Sequence, residues 1–326
     1  MPPGRTLPPG APSAGPESVA VRAADGYALG AFVWRHSEGA GLTRSVVIVN
    51  AATSVRCSYY AAFAEFLFNE GFDVVTYDYR GIGASRPRSL RGFEASWSDW
   101  GSLDFEAMLQ YAQRTFPGQP IDVVAHSIGG FVIGFARSSD RIRRIVTVGA
   151  QHAYWRDYAP EKRYRMLVKW HWFMPALTAL VGYFPGRRLG WLEDTPRGVV
   201  RDWSRAGRRF VPAARGKGSR AEWQALMRPF ASVTAAILAL SVTDDEFGTA
   251  PATERLLGYF PRSQATHLRI APQSVAQARI GHFSFFHGRH AASLWQIPLQ
   301  WLRHGRLAAD TPGAVVAHPP ASERGR

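Results

Sequence analysis

IDVVAHSIGGFVIGFARS, residues 121–138, changes character in its middle. Residues 121–126 read as a buried strand, and residues 128–138 carry apolar groups at helical spacing. The joint between them is Ala125-His126-Ser127-Ile128-Gly129-Gly130. A serine on such a strand-to-helix turn lifts its hydroxyl above the sheet. The usual pattern is G-x-S-x-G. Ala125 stands at its first glycine, and alanine is small enough for the close approach of helix and strand that the turn requires.

Outward from this turn the chain alternates. SVAVRAA and YALGAFVW (within 18–34) flank Asp25-Gly26 and read as a hairpin. SVVIVN (45–50), FDVVTYDY (72–79) and IRRIVTVGA (142–150) read as buried strands. YYAAFAEFLFNEG (59–71) reads as a helix ending at Gly71, and DFEAMLQYAQRTF (104–116) as another. The rhythm stops after Ala150. Residues 151–230 are rich in Trp, Phe and Arg and show no clear strand, whereas AAILALSV (235–242) restores the pattern, followed by a helix, the strand THLRIAP and a final helix. Strand-helix repetition predicts an α/β fold with a mostly parallel central sheet and helices on both faces. The expected organisation is a Pro/Gly-rich tail over 1–17, a core over 18–150 and 231–305, a helical cap over 151–230 inserted after the sixth strand, and a second flexible tail over 306–326.

Composition narrows the class. Apolar residues make up 46% and charged residues 20% of 326, as in a soluble globular protein. Cys57 is the single cysteine, so no intrachain disulfide can form; a reducing, cytoplasmic setting is expected. The N-terminal residues hold no apolar core of a secretory signal. The longest apolar stretch, WHWFMPALTALVGYF (170–184), is too short to span a bilayer and is interrupted by Pro175. The net charge of +14 is spread along the chain without a nucleic-acid-binding motif, so no nucleic-acid partner is expected. No H-E-x-x-H, phosphate-binding loop or dinucleotide fingerprint occurs, and neither metal nor cofactor is expected.

Serine needs a histidine to take its proton and a carboxylate to orient that histidine. In a fold of this kind the chain order is Ser, acid, His. SVTDDEFGT follows the strand at 235–242 and offers Asp245, with Asp244 as the alternative acid. RIGHFSFF follows the strand THLRIAP and places His282 in a loop. Among the ten histidines, His126 is read as packing or lining the site, His152 and His171 as cap residues lining a pocket, and His267 as structural. Ile128 is the first oxyanion donor through its backbone N–H; the loop Asn50-Ala51-Ala52-Thr53 supplies the second from Ala52, with Thr53 as alternative. Cys57 is read as packing. In the cap, Trp170, Trp172 and Phe173 are candidates for substrate contact.

SVVIVNAATSVRCSYYAAFAEFLFNEGFDVVTYDYRGIGAS, VVAHSIGG, TDDEFGT and IGHFSFF together resemble the α/β-hydrolase superfamily, most nearly the bacterial serine-aminopeptidase-like or lysophospholipase-like hydrolases. The resemblance spans about residues 18–304. It implies that YDYRGIGAS is a structural turn near the site and that the central insert forms a lid. Two departures stand out: Ala125 replaces a glycine, and NAAT stands where many relatives carry His-Gly. The expected activity is cleavage of a small-molecule carboxylic ester through an acyl-enzyme on Ser127. An acyltransferase would use the same three residues, and a non-catalytic scaffold binding an acidic or membrane partner is the alternative of another class. Peripheral membrane contact is compatible with the basic charge, and no obligate protein partner is evident.

Overall fold

The computed structural model describes residues 15–37, 44–211 and 220–317. Among the described residues nine strands form one open sheet: β1 (Glu17–Arg22), β2 (Ala28–Trp34), β3 (Val46–Asn50), β4 (Asp73–Tyr77), β5 (Ile121–His126), β6 (Ile142–Val148), β7 (Ala236–Val242), β8 (Ala265–Ile270) and β9 (Ala314–Val316). Their spatial order is β1-β2-β4-β3-β5-β6-β7-β8-β9. β4, β3, β5, β6, β7 and β8 run parallel, whereas β1, β2 and β9 pair antiparallel at the two margins.

β3 and β5 are buried along their whole length, VVIVN and IDVVAH, as strands covered on both faces must be. The winding reverses between them: the chain leaves β3 towards β4 on one side and returns to β5 on the other. In open α/β sheets such a switch point leaves a crevice beyond the carboxyl ends of the strands. Asn50 and His126 end there, and the functional side chains gather above them.

The turn after β4 is fixed by buried carboxylates. Asp78 accepts from the backbone N–H of Cys57 and Ala84, both at 2.7 Å. Gly83 has φ +47°, and a Cβ there would strike the Asp78 carboxylate. Arg80 crosses to Asp104 through Nε at 2.6 Å and to Asp25 through Nη1 at 2.6 Å.

Two expectations need adjustment. The helix expected over 128–138 is cut to Ile128–Val132, after which the chain tightens through Ile133–Phe135. The tail expected from residue 306 does not stay free: Ala314–Val316 pairs with Arg269, Leu268 and His267 of β8. Without it β8 would present a row of unpaired backbone groups, and the β-branched pair Val315-Val316 suits the strand that covers them. Residues 1–14 and 318–326 of the two expected tails lie outside the described residues. Between β6 and β7 the described residues form helical turns and one isolated antiparallel bridge, Phe184–Thr195.

Candidate active site

Ser127 ends β5 and precedes the helix Ile128–Val132 with φ 54° and ψ −123°. A non-glycine residue in this region is strained, and such strain persists only where the surroundings enforce it. Here they do. The Ser127 N–H donates to Val148 O at 3.0 Å, and the Gly130 N–H donates to Ser127 O at 3.1 Å. A Cβ on Gly129 would lie 2.6 Å from Asn50 O, so the helix can seat against β3 only with glycine there. Ala125, at the position of the usual first glycine, is fully buried in β5 and pairs with Asn50 of β3 and Thr147 of β6.

Asp245 follows β7, and His282 follows β8. His282 Nδ1 lies 2.8 Å from Asp245 Oδ2, and both groups are buried. Asp245 Oδ1 accepts from the backbone N–H of Phe247 at 2.8 Å and of Gly248 at 2.9 Å. Burial alone would push this carboxyl up, but the imidazole beside it and the two backbone donors outweigh burial and hold it below the usual carboxylate range. An ionised Asp245 accepts Nδ1–H, which leaves His282 Nε2 as the unprotonated nitrogen. Gly149, with φ +55°, gives the pair its room: a Cβ there would come within 2.7 Å of Asp245 Oδ2. Asp244 does different work. Its carboxylate accepts the backbone N–H of Ile280 at 3.0 Å and of Gly281 at 2.9 Å, pinning the loop that carries His282.

Ser127 and His282 border one cavity of about 320 Å³, together with Ala52, Thr53 and Ile128. Among the described residues, the hydrogen bond that meets Ser127 Oγ comes from Gln151 Nε2 at 3.4 Å. The backbone N–H groups of Thr53 and Ile128 have no acceptor among the described residues. Ala52, expected to supply the second donor, has its N–H engaged by Tyr60 Oη at 2.9 Å. Thr53 is therefore the free donor on this loop.

That Tyr60 contact belongs to a longer chain. Tyr60 Oη lies 2.8 Å from His126 Nδ1, and His126 Nε2 lies 2.9 Å from the carbonyl oxygen of His282. A carbonyl only accepts, so Nε2 carries the proton and Tyr60 donates to Nδ1. The backbone of the loop after β3 is thus tied through two buried side chains to the backbone at His282. Burial, followed by the repulsion that a protonated His126 would meet from the His282 ring when that is also protonated, pushes the His126 pKa down to about 3.

The unfolded chain takes up the His126 proton near pH 6.5, whereas the folded chain resists it to about pH 3. The stability is whole above pH 6.5 and falls as the pH drops towards 3. His126→Gln is expected to flatten the dependence of the unfolding free energy, measured by urea denaturation, on pH in that range by up to about 1.4 kcal/mol per pH unit. An unchanged slope in the variant would show that His126 is not held neutral.

A model of the family described as serine aminopeptidase, S33, matches residues 42–204, half of the chain. The chain belongs to this family of α/β hydrolases. No curated protein sequence matches it. Among solved structures the hydrolase is similar to the esterase Pf2001 of Pyrococcus furiosus, with 14% identity and a TM-score of 0.52 over 93% of this chain and 100% of that one. It is also similar to the α/β-hydrolase domain-containing protein 10 from mouse, with 13% identity and a TM-score of 0.52 over 89% and 100%. A third is XC6422 from Xanthomonas campestris, described as an α/β serine hydrolase without lid, with 13% identity and a TM-score of 0.51 over 97% and 100%. At such identities the likeness is one of fold.

The remaining candidates of this hydrolase separate cleanly. Trp170 is buried and borders the cavity, whereas Trp172 is 71% and Phe173 45% exposed and neither borders it. The three lie on one helical stretch, and of them only Trp170 is turned into the cavity. His152 and His171 do not border the cavity either. His152 Nε2 holds Gly207 O at 3.1 Å, and His171 Nδ1 holds Ser204 O at 2.9 Å. Cys57 is buried, and burial pushes its thiol up, away from nucleophilic form. The sequence reading missed Gln151, Tyr60, Trp97 and Trp203. Gln151 follows β6 by three residues, close to the sheet edge where ligands collect, and that position was its one available signal. Among the described residues no group of three or more His, Cys, Asp or Glu is placed to hold a metal ion.

Proposed function

We propose that this hydrolase cleaves a carboxylic ester through an acyl-enzyme on Ser127, with His282 as base and Asp245 as the carboxylate that orients it. The observation that carries this reading is the 2.8 Å Asp245–His282 pair beside a serine held at φ 54° on the same cavity. In the first half-reaction Ser127 Oγ attacks the acyl carbon and gives its proton to His282 Nε2. His282 then passes that proton to the departing alcohol. In the second half-reaction water gives its proton to His282 and attacks the acyl carbon, releasing the acid and restoring Ser127. The backbone N–H groups of Ile128 and Thr53 receive the developing oxyanion. The stretch over 151–230 acts as a cap, contributing Trp170 and Trp203 to the cavity.

A fluorophosphonate probe tests the reading. One adduct is expected, located by mass spectrometry on Ser127. An adduct elsewhere, or none on folded protein after mild detergent has been added to open the cap, would overturn it.

Peripheral contact with an anionic membrane belongs to the same proposal. Tyr164, Val168, Trp172 and Leu180 are 69%, 61%, 71% and 85% exposed, at intervals of four or eight residues along one helical stretch. The Arg163 guanidinium lies 5.9 Å from the centroid of the Tyr164 ring, and exposed apolar groups at this spacing beside a cation suit a lipid interface. The protein is expected to sediment with phosphatidylglycerol vesicles and Trp172→Ala to do so less; equal sedimentation of the two would remove this contact from the proposal. No helix among the described residues is long and apolar enough to cross a membrane.

A further inference from the structure

The cavity at Ser127 has two unlike linings. Trp97, Met166, Trp170, Trp203 and Phe247 give it a buried apolar wall. Its more exposed lining carries three cations, Lys162, Arg165 and Lys169, against one carboxylate, Glu246. Lys162 and Glu246 satisfy each other at 3.2 Å. Arg165 and Lys169 have no carboxylate partner among the described residues.

Lys169 is held in an unusual way. Its Nζ lies 3.8 Å from the centroid of the Trp191 ring and 4.4 Å from that of Trp170. Ring faces attract an ammonium, but they accept none of its three N–H bonds in the way a carboxylate does. Burial, then the neighbouring Arg165 charge, pushes the Lys169 pKa down, and the Glu246 carboxylate, paired with Lys162, offsets this only in part. The spacing of 162, 165, 166, 169 and 170 puts these cations on the same helical face as Met166 and Trp170. One face therefore offers an apolar floor and, beside it, positive charge in excess of the one carboxylate that lines the same cavity. A wholly apolar substrate would cover that charge without answering it, at a cost in desolvation.

We propose that Lys169 and Arg165 form a subsite for an anionic group, a carboxylate or a phosphate, at the non-reacting end of an ester whose apolar part lies against the tryptophan wall. The inference rests on the serine-hydrolase reading above and specifies its substrate: an acyl ester with one negatively charged end. Trp170 and Trp191 set the position of the Lys169 ammonium, and Arg165, four residues earlier, adds a fork suited to either oxyanion.

The test compares pairs matched in chain length. One pair is 4-nitrophenyl octanoate and the 4-nitrophenyl half-ester of suberic acid, which ends in a carboxylate. The other is 1-octanoylglycerol and 1-octanoylglycerol 3-phosphate. The readout is the ratio of kcat/KM, anionic over neutral, within each pair. In the wild-type protein at low salt at least one ratio is expected to reach about ten. The pair that shows it identifies carboxylate or phosphate as the group bound. Lys169→Met is expected to lower that ratio about tenfold and Lys169→Arg to keep most of it. General damage to the cap would slow both members of a pair and leave the ratio unmoved. Ratios of one or less in the wild type, or a ratio unmoved in Lys169→Met, overturn the subsite while leaving the hydrolase reading intact. Failure to cleave any of the four esters, together with no fluorophosphonate adduct, overturns the hydrolase reading and the subsite with it.

Discussion

Asp245→Asn is expected to lower kcat/KM for ester cleavage about 10,000-fold, a loss of the size known for removing the charge of a triad carboxylate. The reason is the tautomer of His282. Asp245 Oδ2 takes the Nδ1 proton at 2.8 Å, and its other oxygen is fixed by two backbone N–H groups. An amide keeps that second anchor through its own oxygen and must then turn NH2 towards Nδ1. The imidazole answers by moving its proton to Nε2, where it can no longer accept from serine. Asp244→Asn is the matched control. Among the described residues Asp244 accepts from Ile280 and Gly281 alone, so its amide variant loosens the loop without touching the imidazole. Its expected loss is below about tenfold, with up to about 1 kcal/mol of stability. Steady-state hydrolysis of a 4-nitrophenyl ester by both variants decides the matter. Equal losses, or a larger one at Asp244, would assign the acid wrongly.

Asp104→Ala is expected to cost about 3–5 kcal/mol of folding stability, the range for breaking a buried ion pair from one side. Asp104 is fully buried and receives Arg80 twice, through Nε at 2.6 Å and the backbone N–H at 2.9 Å. With it gone, the Arg80 guanidinium stays inside with only Asp25, whose side chain is 40% exposed. Asp25→Ala removes that more solvated partner, and its expected cost is below about 1 kcal/mol. Urea unfolding of the two variants measures the contrast. A cost at Asp104 no greater than at Asp25 would mean that Arg80 escapes to water when its buried partner is lost.

The sheet was legible because its central strands are uninterrupted apolar runs. VVIVN and IDVVAH admit few other readings, and the serine between IDVVAH and IGGFV announced its turn. The proposed order of Ser127, Asp245 and His282 rests on the same signal, since each follows a recognisable strand. Other features left no periodic trace. Tyr60 sits in an apolar helical pattern, where nothing marks its hydroxyl as the group that engages Ala52 N–H and turns the free donor to Thr53. Gln151 opens a stretch without period. Trp170, Trp172 and Phe173 are alike in composition, and only the direction in which the helix turns them separates a cavity wall from an exposed face. Ala314–Val316 was hidden because a three-residue strand depends on the unpaired neighbour it meets, which its own sequence does not state.

That last strand has a consequence for solubility. β8 carries Leu268 and Ile270 among its buried residues, and β9 closes its outer backbone edge along His267, Leu268 and Arg269. A chain shortened before Ala314 keeps every residue of the proposed triad and so keeps its chemistry. It would, however, expose the backbone of β8 as a template for any passing strand, including β8 of another molecule. The C-terminal strand in this sense covers an edge that would otherwise be open to self-association, and it does so without supplying any residue of the proposed triad.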